Sequence, residues 1–261
     1  MTLVAVVGDC ATTTTVALAA AWPADDDVVV LEVDPRGGSL GAWLDLPASP
    51  TLSTAVTLAP DGDWSVIEPL VRTAPAGLRV LPAPTRAVEA ARAVAEASVS
   101  LLPHIAARVD LIAIADAGHV PSAEALPVAV TCARTVVVGH RQTPHSARAE
   151  AVRLQRRVDL VARLADAGAE VVVAVIGVRP FTPHDVIEFV ADGVDVSWTP
   201  IPDDALTAAV IAGRVGVSAR RLARLPLSRG AARLAAMVHK VTVREVTVRD
   251  VTVLARSAPD G

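Results

Sequence analysis

The sequence predicts an α/β fold, a doubly wound and mostly parallel sheet with helices on both faces, giving three layers. Two observations carry this. Short β-branched runs alternate with Ala-rich stretches of helical character along most of the chain. Most of those runs are apolar at every position, as in strands covered on both faces, not at every second one.

The elements follow in order. Strands are predicted at residues 4–7, 28–32, 78–81, 111–115, 136–138 and 171–176. Helices are predicted at 14–22, 86–102, 122–130, 146–167 and 183–191. The connections are short enough for one domain over residues 1–240. Residues 241–255 read VTVREVTVRDVTVLA, a repeat of period five. That period follows neither one strand face nor a helix stripe, so residues 241–261 are expected to be a Val/Thr-rich tail, disordered or pairing as an edge strand.

Composition narrows the function. Apolar residues make up 52% of the 261, enough for a large core and too many for a disordered chain. Cys10 and Cys132 are too few for a disulfide scaffold. No apolar run reaches the ~18 residues of a spanning helix. The first residues, MTLVAVVGDC, lack the basic segment of a secretory signal, so a cytoplasmic protein is expected. Aromatic residues are 2% and the net charge is −4, which disfavours a dedicated nucleic-acid binder. Lys240 is the only lysine; every other basic side chain is arginine.

The first strand ends at Gly8 and leads through Asp9, Cys10, Ala11, Thr12, Thr13, Thr14 and Thr15 into the helical run VALAAAW. Strand, tight loop and helix N-terminus form the setting of a phosphate loop, where free amides and the helix dipole hold an anion. The length from Gly8 to Thr15 matches G-x-x-x-x-G-K-[ST], but Thr13 stands at the second glycine and Thr14 at the lysine. Asp34 follows the second strand, ahead of Gly37-Gly38, and Asp116 closes DLIAIAD ahead of Gly118. Carboxylates at the ends of neighbouring parallel strands can face phosphates and their Mg²⁺.

With these pieces in order, the chain resembles the ParA/MinD family of P-loop ATPases (deviant Walker A, SIMIBI class), specifically divergent members of high-GC bacteria. The resemblance rests on VAVVGDCATTTTVALAAAW, LEVDPRGGSLGAWLDL, DLIAIADAG and PIPDDALTAAVIAGR, and covers about residues 1–240. It implies a P-loop NTPase-like fold that binds ATP and Mg. Gly8, Asp9, Cys10, Ala11, Thr12, Thr13, Thr14, Thr15, Arg36, Pro202 and Asp203 would border the nucleotide. Thr15, Asp34 and Asp116 would hold the metal, and Asp34 and Asp116 would serve catalysis. Glu32 stands where relatives often carry another aspartate.

The departures bear on activity. The family places one lysine early in the loop and one before the threonine; here those positions are Asp9 and Thr14. At an effective dielectric of ~20, one charge pair at ~4 Å is worth about 4 kcal/mol before solvation. A weak nucleotide binder or pseudo-ATPase is therefore expected, acting through protein contacts in spatial organisation such as partition, division-site, pilus or secretion placement. The alternatives are an active ATPase with an unusual loop and a ligand-free dimerisation or adaptor module. In the bland reading the loop is only a turn with Thr12 or Thr13 as N-cap.

Other groups read as follows. Cys10 is a reactive thiol if the helix dipole lowers its pKa and otherwise a small packed residue. His140 and His145 are expected as solvated loop histidines. Arg153, Arg156, Arg157 and Arg163 share a predicted helix, read as a solvated face with DNA phosphate contact as the lesser alternative. Arg220, Arg221, Arg224, Arg229 and Arg233 among leucines suggest a membrane-surface helix, a reading that Pro226 and the core weaken. The expected partner is a second copy of the chain or another protein.

Overall fold

The computed structural model describes residues 3–23, 26–74, 77–120, 126–143 and 146–256, with backbone only at 129, 219 and 243–256. The first half runs β1 (Leu3–Gly8), α1 (Ala11–Ala20), β2 (Val28–Glu32), α2 (Leu40–Trp43), α3 (Leu52–Leu58), α4 (Trp64–Ile67), β3 (Arg72–Thr73) and β4 (Arg79–Leu81). It continues through α5 (Ala87–Val99), α6 (Leu101–Ala107) and β5 (Ile112–Asp116). The second half runs β6 (Thr135–Arg141), α7 (Ala147–Asp166), β7 (Glu170–Ile176), α8 (Pro183–Ala191), β8 (Ser197–Ile201), α9 (Ala205–Ile211), α10 (Ala219–Leu222) and α11 (Pro226–Arg256).

The strands form one sheet in the order β3-β4-β2-β5-β1-β6-β7-β8, parallel throughout except for the antiparallel pair β3 and β4. Both faces are covered, as the doubly wound expectation required. Alternation along β1 shows why its run is apolar at every position: Leu3, Ala5 and Val7 enter one core and Val4 and Val6 the other. The first core takes α3, α5, α7 and α8; the second takes α1, α9 and α11. β1 lies between β5 and β6, where the winding reverses, so its carboxyl end opens a crevice at a topological switch point.

Local chemistry sets the helix starts. Ser146 caps α7 by accepting from the Ala149 N–H, and Thr182 with Asp185 forms a capping box on α8, where Pro183 is the first helical residue. Asp204 caps α9 by accepting from Leu206 and Thr207.

Several expectations need correction. The helix expected at 86–102 is two, with Ser100 between α5 and α6. The described part of 122–130 carries a 3-10 turn, Val128–Cys132, and residues 122–125 lie outside the described residues. β8 escaped notice because SWTPI contains Pro200, which a sheet tolerates at an edge strand. The backbone of 241–256 continues α11 and is not a strand, and residues 257–261 of the expected tail lie outside the described residues. Leu227, Ala231, Leu234, Ala235, Val238 and Thr242 make a buried stripe along that helix, and a docked helix propagates cheaply through Val and Thr, whose propensity is only slightly below average. Leu227 and Leu234 are core residues, so the Arg- and Leu-rich segment spends its leucines inward. Among the described residues no helix is long and apolar enough to cross a membrane.

Candidate functional site

The loop after β1 is held by backbone. Gly8 donates to the Gly118 carbonyl (3.0 Å) and Asp9 to the Gly139 carbonyl (2.9 Å), so the ends of β1, β5 and β6 close around it. A Cβ on Gly8, which has φ +96°, would overlap the Gly139 carbonyl oxygen; glycine is required there by both torsion and space. Cys10 takes the left-handed conformation (φ 56°) and is the N-cap of α1, and its side chain makes no capping bond to the helix. Neither Thr12 nor Thr13 caps the helix, because the chain already turns at Cys10. The N-terminus of α1 thus has no N-cap side-chain bond, and Cys10 and Thr13 beside it line a cleft, a setting that suits an anion.

Among the described residues, two buried oxygens at this loop meet no partner within hydrogen-bonding geometry, although the Thr12 hydroxyl lies near the Asp116 carboxyl. Thr15 is fully buried and its Oγ1 has no hydrogen-bond partner; the same holds for Oδ2 of Asp116, while Oδ1 accepts from the Gly118 N–H (3.1 Å). Burial, partly offset by the nearby Thr12 hydroxyl and reinforced by Glu32, pushes the Asp116 carboxyl up to about 7. An oxygen left in this state costs roughly 1–3 kcal/mol, which a divalent cation would recover. Thr15 and Asp116 therefore fit an Mg²⁺ ligand pair.

Asp34 and Arg36 form a closed unit. Oδ1 of Asp34 accepts from the Arg36 main-chain N–H (2.9 Å) and Nε (3.0 Å), and Oδ2 from Nη2 (2.7 Å). Arg36 thus folds back onto Asp34 and does not reach into the loop, because the carboxylate two residues earlier is its nearest fork-shaped partner. Glu32 is not part of an open acidic site. Its carboxylate accepts from the main-chain N–H groups of Ser39, Leu40 and Ala83, tying the β2 loop to α2 and β4.

Asp9 departs most from expectation. It does not point a free negative charge at the loop. Its carboxylate lies against Arg153 (2.7 Å) and Arg157 (3.2 Å) from α7, near His119 (3.3 Å), and accepts from the Arg141 main-chain N–H (3.0 Å). Burial favours the neutral acid, but Arg157, the Arg141 amide, Arg153 and His140 outweigh it and hold the carboxyl below its usual value. The network extends through Glu150, which is fully buried and accepts from Thr143 and Arg153, and whose Oε1 lies 2.7 Å from Nε2 of His140. Arg157 also donates to the Val120 carbonyl (2.6 Å).

His140 is therefore a core residue of β6, three residues longer than its apolar run, and not a loop histidine; burial pushes its pKa down. His145 lies outside the described residues. Two of the four arginines expected on a solvated face, Arg153 and Arg157, turn inward. The sequence carried a signal for this: Glu150, Arg153, Arg157 and Leu164 fall with Leu154, Leu160 and Val161 on one helical stripe.

Part of the set expected to border a nucleotide converges. Cys10, Thr13, Thr14, Pro202 and Asp203 line one cleft of about 230 Å³ together with Arg141. Gly8, Asp9, Ala11, Thr12, Thr15 and Arg36 lie outside that lining. Burial raises the Cys10 thiol pKa, with Asp203 and Asp9 adding to it against Arg141, so Cys10 is a packed residue and not an activated thiol.

The fold and this site together define a class: a doubly wound α/β domain with a strand–loop–helix turn at the switch point. No protein-family model and no curated protein matches the chain. Among solved structures it shares its fold with a ParA family ATPase from Chlorobium tepidum (TM-score 0.65, 17% identity, covering 90% of this chain and 97% of that one). It also shares it with the MinD cell division protein of Aquifex aeolicus (TM-score 0.59, 13% identity, 92% and 97%), a protein also seen in complex with MinC. A third is cobyrinic acid a,c-diamide synthase from Mycobacterium smegmatis with an ATP analogue and magnesium (TM-score 0.51, 18% identity, 81% and 91%). The chain has the ParA/MinD-type ATPase fold.

Proposed function

We propose that the chain is a ParA/MinD-type nucleotide-binding protein of the cytoplasm that holds Mg·ATP weakly, hydrolyses it slowly or not at all, and works through protein contacts in spatial organisation, as a homodimer or with a protein partner. The observation that carries the reading is the pair of buried, unpartnered oxygens, Thr15 Oγ1 and Asp116 Oδ2, beside the uncapped N-terminus of α1. Thr15 and Asp116 would hold Mg²⁺, which would supply positive charge to offset that of the phosphates. The α1 amides and the hydroxyls of Thr12 to Thr14 face the phosphates; Pro202 and Asp203 border the base. Binding is weak because no lysine reaches the loop, and turnover is poor because Arg36 occupies the Asp34 carboxylate that would orient water.

Calorimetric titration of the full chain with Mg·ATP tests this. Saturable, Mg²⁺-dependent binding with phosphate release near background supports it. No binding at millimolar ATP overturns it and leaves the ligand-free adaptor, a reading that the Arg141–Asp203 ion pair across the cleft favours. Burst or steady turnover would favour the active ATPase. A concentration-dependent mass in sedimentation tests the homodimer.

A further inference from the structure

The missing loop charge has a candidate replacement outside the loop. Arg141 ends β6, the strand paired with β1, and its main-chain N–H donates to the Asp9 carboxylate (3.0 Å), fixing its backbone against the loop. Its side chain lines the cleft with Thr13 and Thr14, the latter standing where the lysine would be, and its charge acts on the Cys10 thiol. The other arginines near the loop are engaged: Arg36 by Asp34, and Arg153 and Arg157 by Asp9. Arg141 instead meets Asp203, Nη2 to Oδ2 at 2.5 Å, with both side chains about half exposed.

A half-exposed ion pair is weak and screened by salt. A guanidinium can give a phosphate two parallel N–H···O bonds, and the same cleft is lined by Cys10, the N-cap of α1, and by Thr13 and Thr14 of its first turn. We propose that Arg141 is the phosphate-binding cation of this site, exchanging Asp203 for a phosphate of the nucleotide and taking the place of the absent loop lysine. This rests on the nucleotide-binding reading above and deepens it. Asp203 then acts as an internal competitor, so a phosphate must displace it from the ion pair to engage Arg141.

The test is calorimetric titration of the full chain with ATP, adenosine and tripolyphosphate, each with Mg²⁺. Arg141→Ala is expected to weaken ATP about tenfold and leave adenosine within about twofold, with Arg141→Lys recovering part of the loss. Asp203→Asn, which removes the competitor without touching the arginine, is expected to tighten tripolyphosphate about threefold. If wild type binds ATP and Arg141→Ala binds it equally well, the role of Arg141 is overturned and the nucleotide reading stands. If Arg141→Ala weakens adenosine as much as ATP, the arginine is structural and the proposal also falls. If wild type binds neither ATP nor tripolyphosphate, the nucleotide reading falls and takes this inference with it.

Discussion

Arg157, buried on α7, lies 3.2 Å from Asp9 at the start of the loop after β1, although the two are far apart in sequence. The acidic side chain at the position of a loop lysine is thus neutralised from the opposite side of the fold, jointly with Arg153. Its electrostatic cost to an anion in the cleft is correspondingly smaller than the sequence suggests.

Removing that partner strands a buried carboxylate. Arg157→Gln is expected to destabilise the protein by about 3 kcal/mol at pH 7, measured by urea unfolding. The pH dependence follows from sign. The Asp9 carboxyl is held below its usual value, so its contribution is present above ~pH 4 and is lost as pH falls through the folded value. The variant's penalty should therefore shrink on acidification; a penalty constant with pH would count against the pair.

Putting the family's early lysine back should not restore function. Asp9→Lys sets an ammonium against Arg153 and Arg157, and is expected to cost about 3–5 kcal/mol of stability. ATP affinity should not rise. A variant that melts like wild type and binds ATP more tightly would show that Asp9 is free of the arginine network.

Thr14→Lys should behave differently. Thr14 lines the cleft, and a lysine stem there can run along apolar surface toward the phosphates. Affinity for Mg·ATP is expected to rise about tenfold with little change for adenosine, read by the same titration. An unchanged affinity would place the phosphates elsewhere.

Asp116→Asn separates stability from ligand binding. The carboxyl is pushed up to about 7, so the native state keeps a proton that the unfolded chain releases near ~pH 4. The stability from that retained proton is complete below the unfolded value and is lost as pH rises toward 7. The amide mimics the protonated acid, so the variant should be more stable than wild type at pH 8, by up to about 4 kcal/mol, and similar at pH 4. The Mg²⁺ dependence of ATP binding should be lost, and its persistence would remove Asp116 from the metal site.

Much of the fold was legible because periodicity reports burial on both faces: β2 (Val28–Glu32) and α8 (Pro183–Ala191) fall on their predicted bounds. β8 and the last turns of α11 were not, since Pro200 interrupts the strand pattern and the period-five Val/Thr repeat follows no helical stripe. The convergence of Cys10, Thr13, Thr14, Pro202 and Asp203 on one cleft matches positions named from the motifs. Arg141 was not named at all: a single arginine ending an apolar run carries no motif.

The sequence by itself determined the parallel α/β architecture and the placement of a glycine-led loop at a helix N-terminus. It also determined that no lysine stands within that loop. Only the tertiary structure decided what the remaining charges do. It turned Arg153 and Arg157 inward to Asp9, closed Arg36 on Asp34, set Glu32 against three backbone amides, and paired Arg141 with Asp203 in the lining of the cleft. Charge pairing acts through space at a few ångströms, and linear spacing cannot report distances set by strands that meet only in the folded sheet.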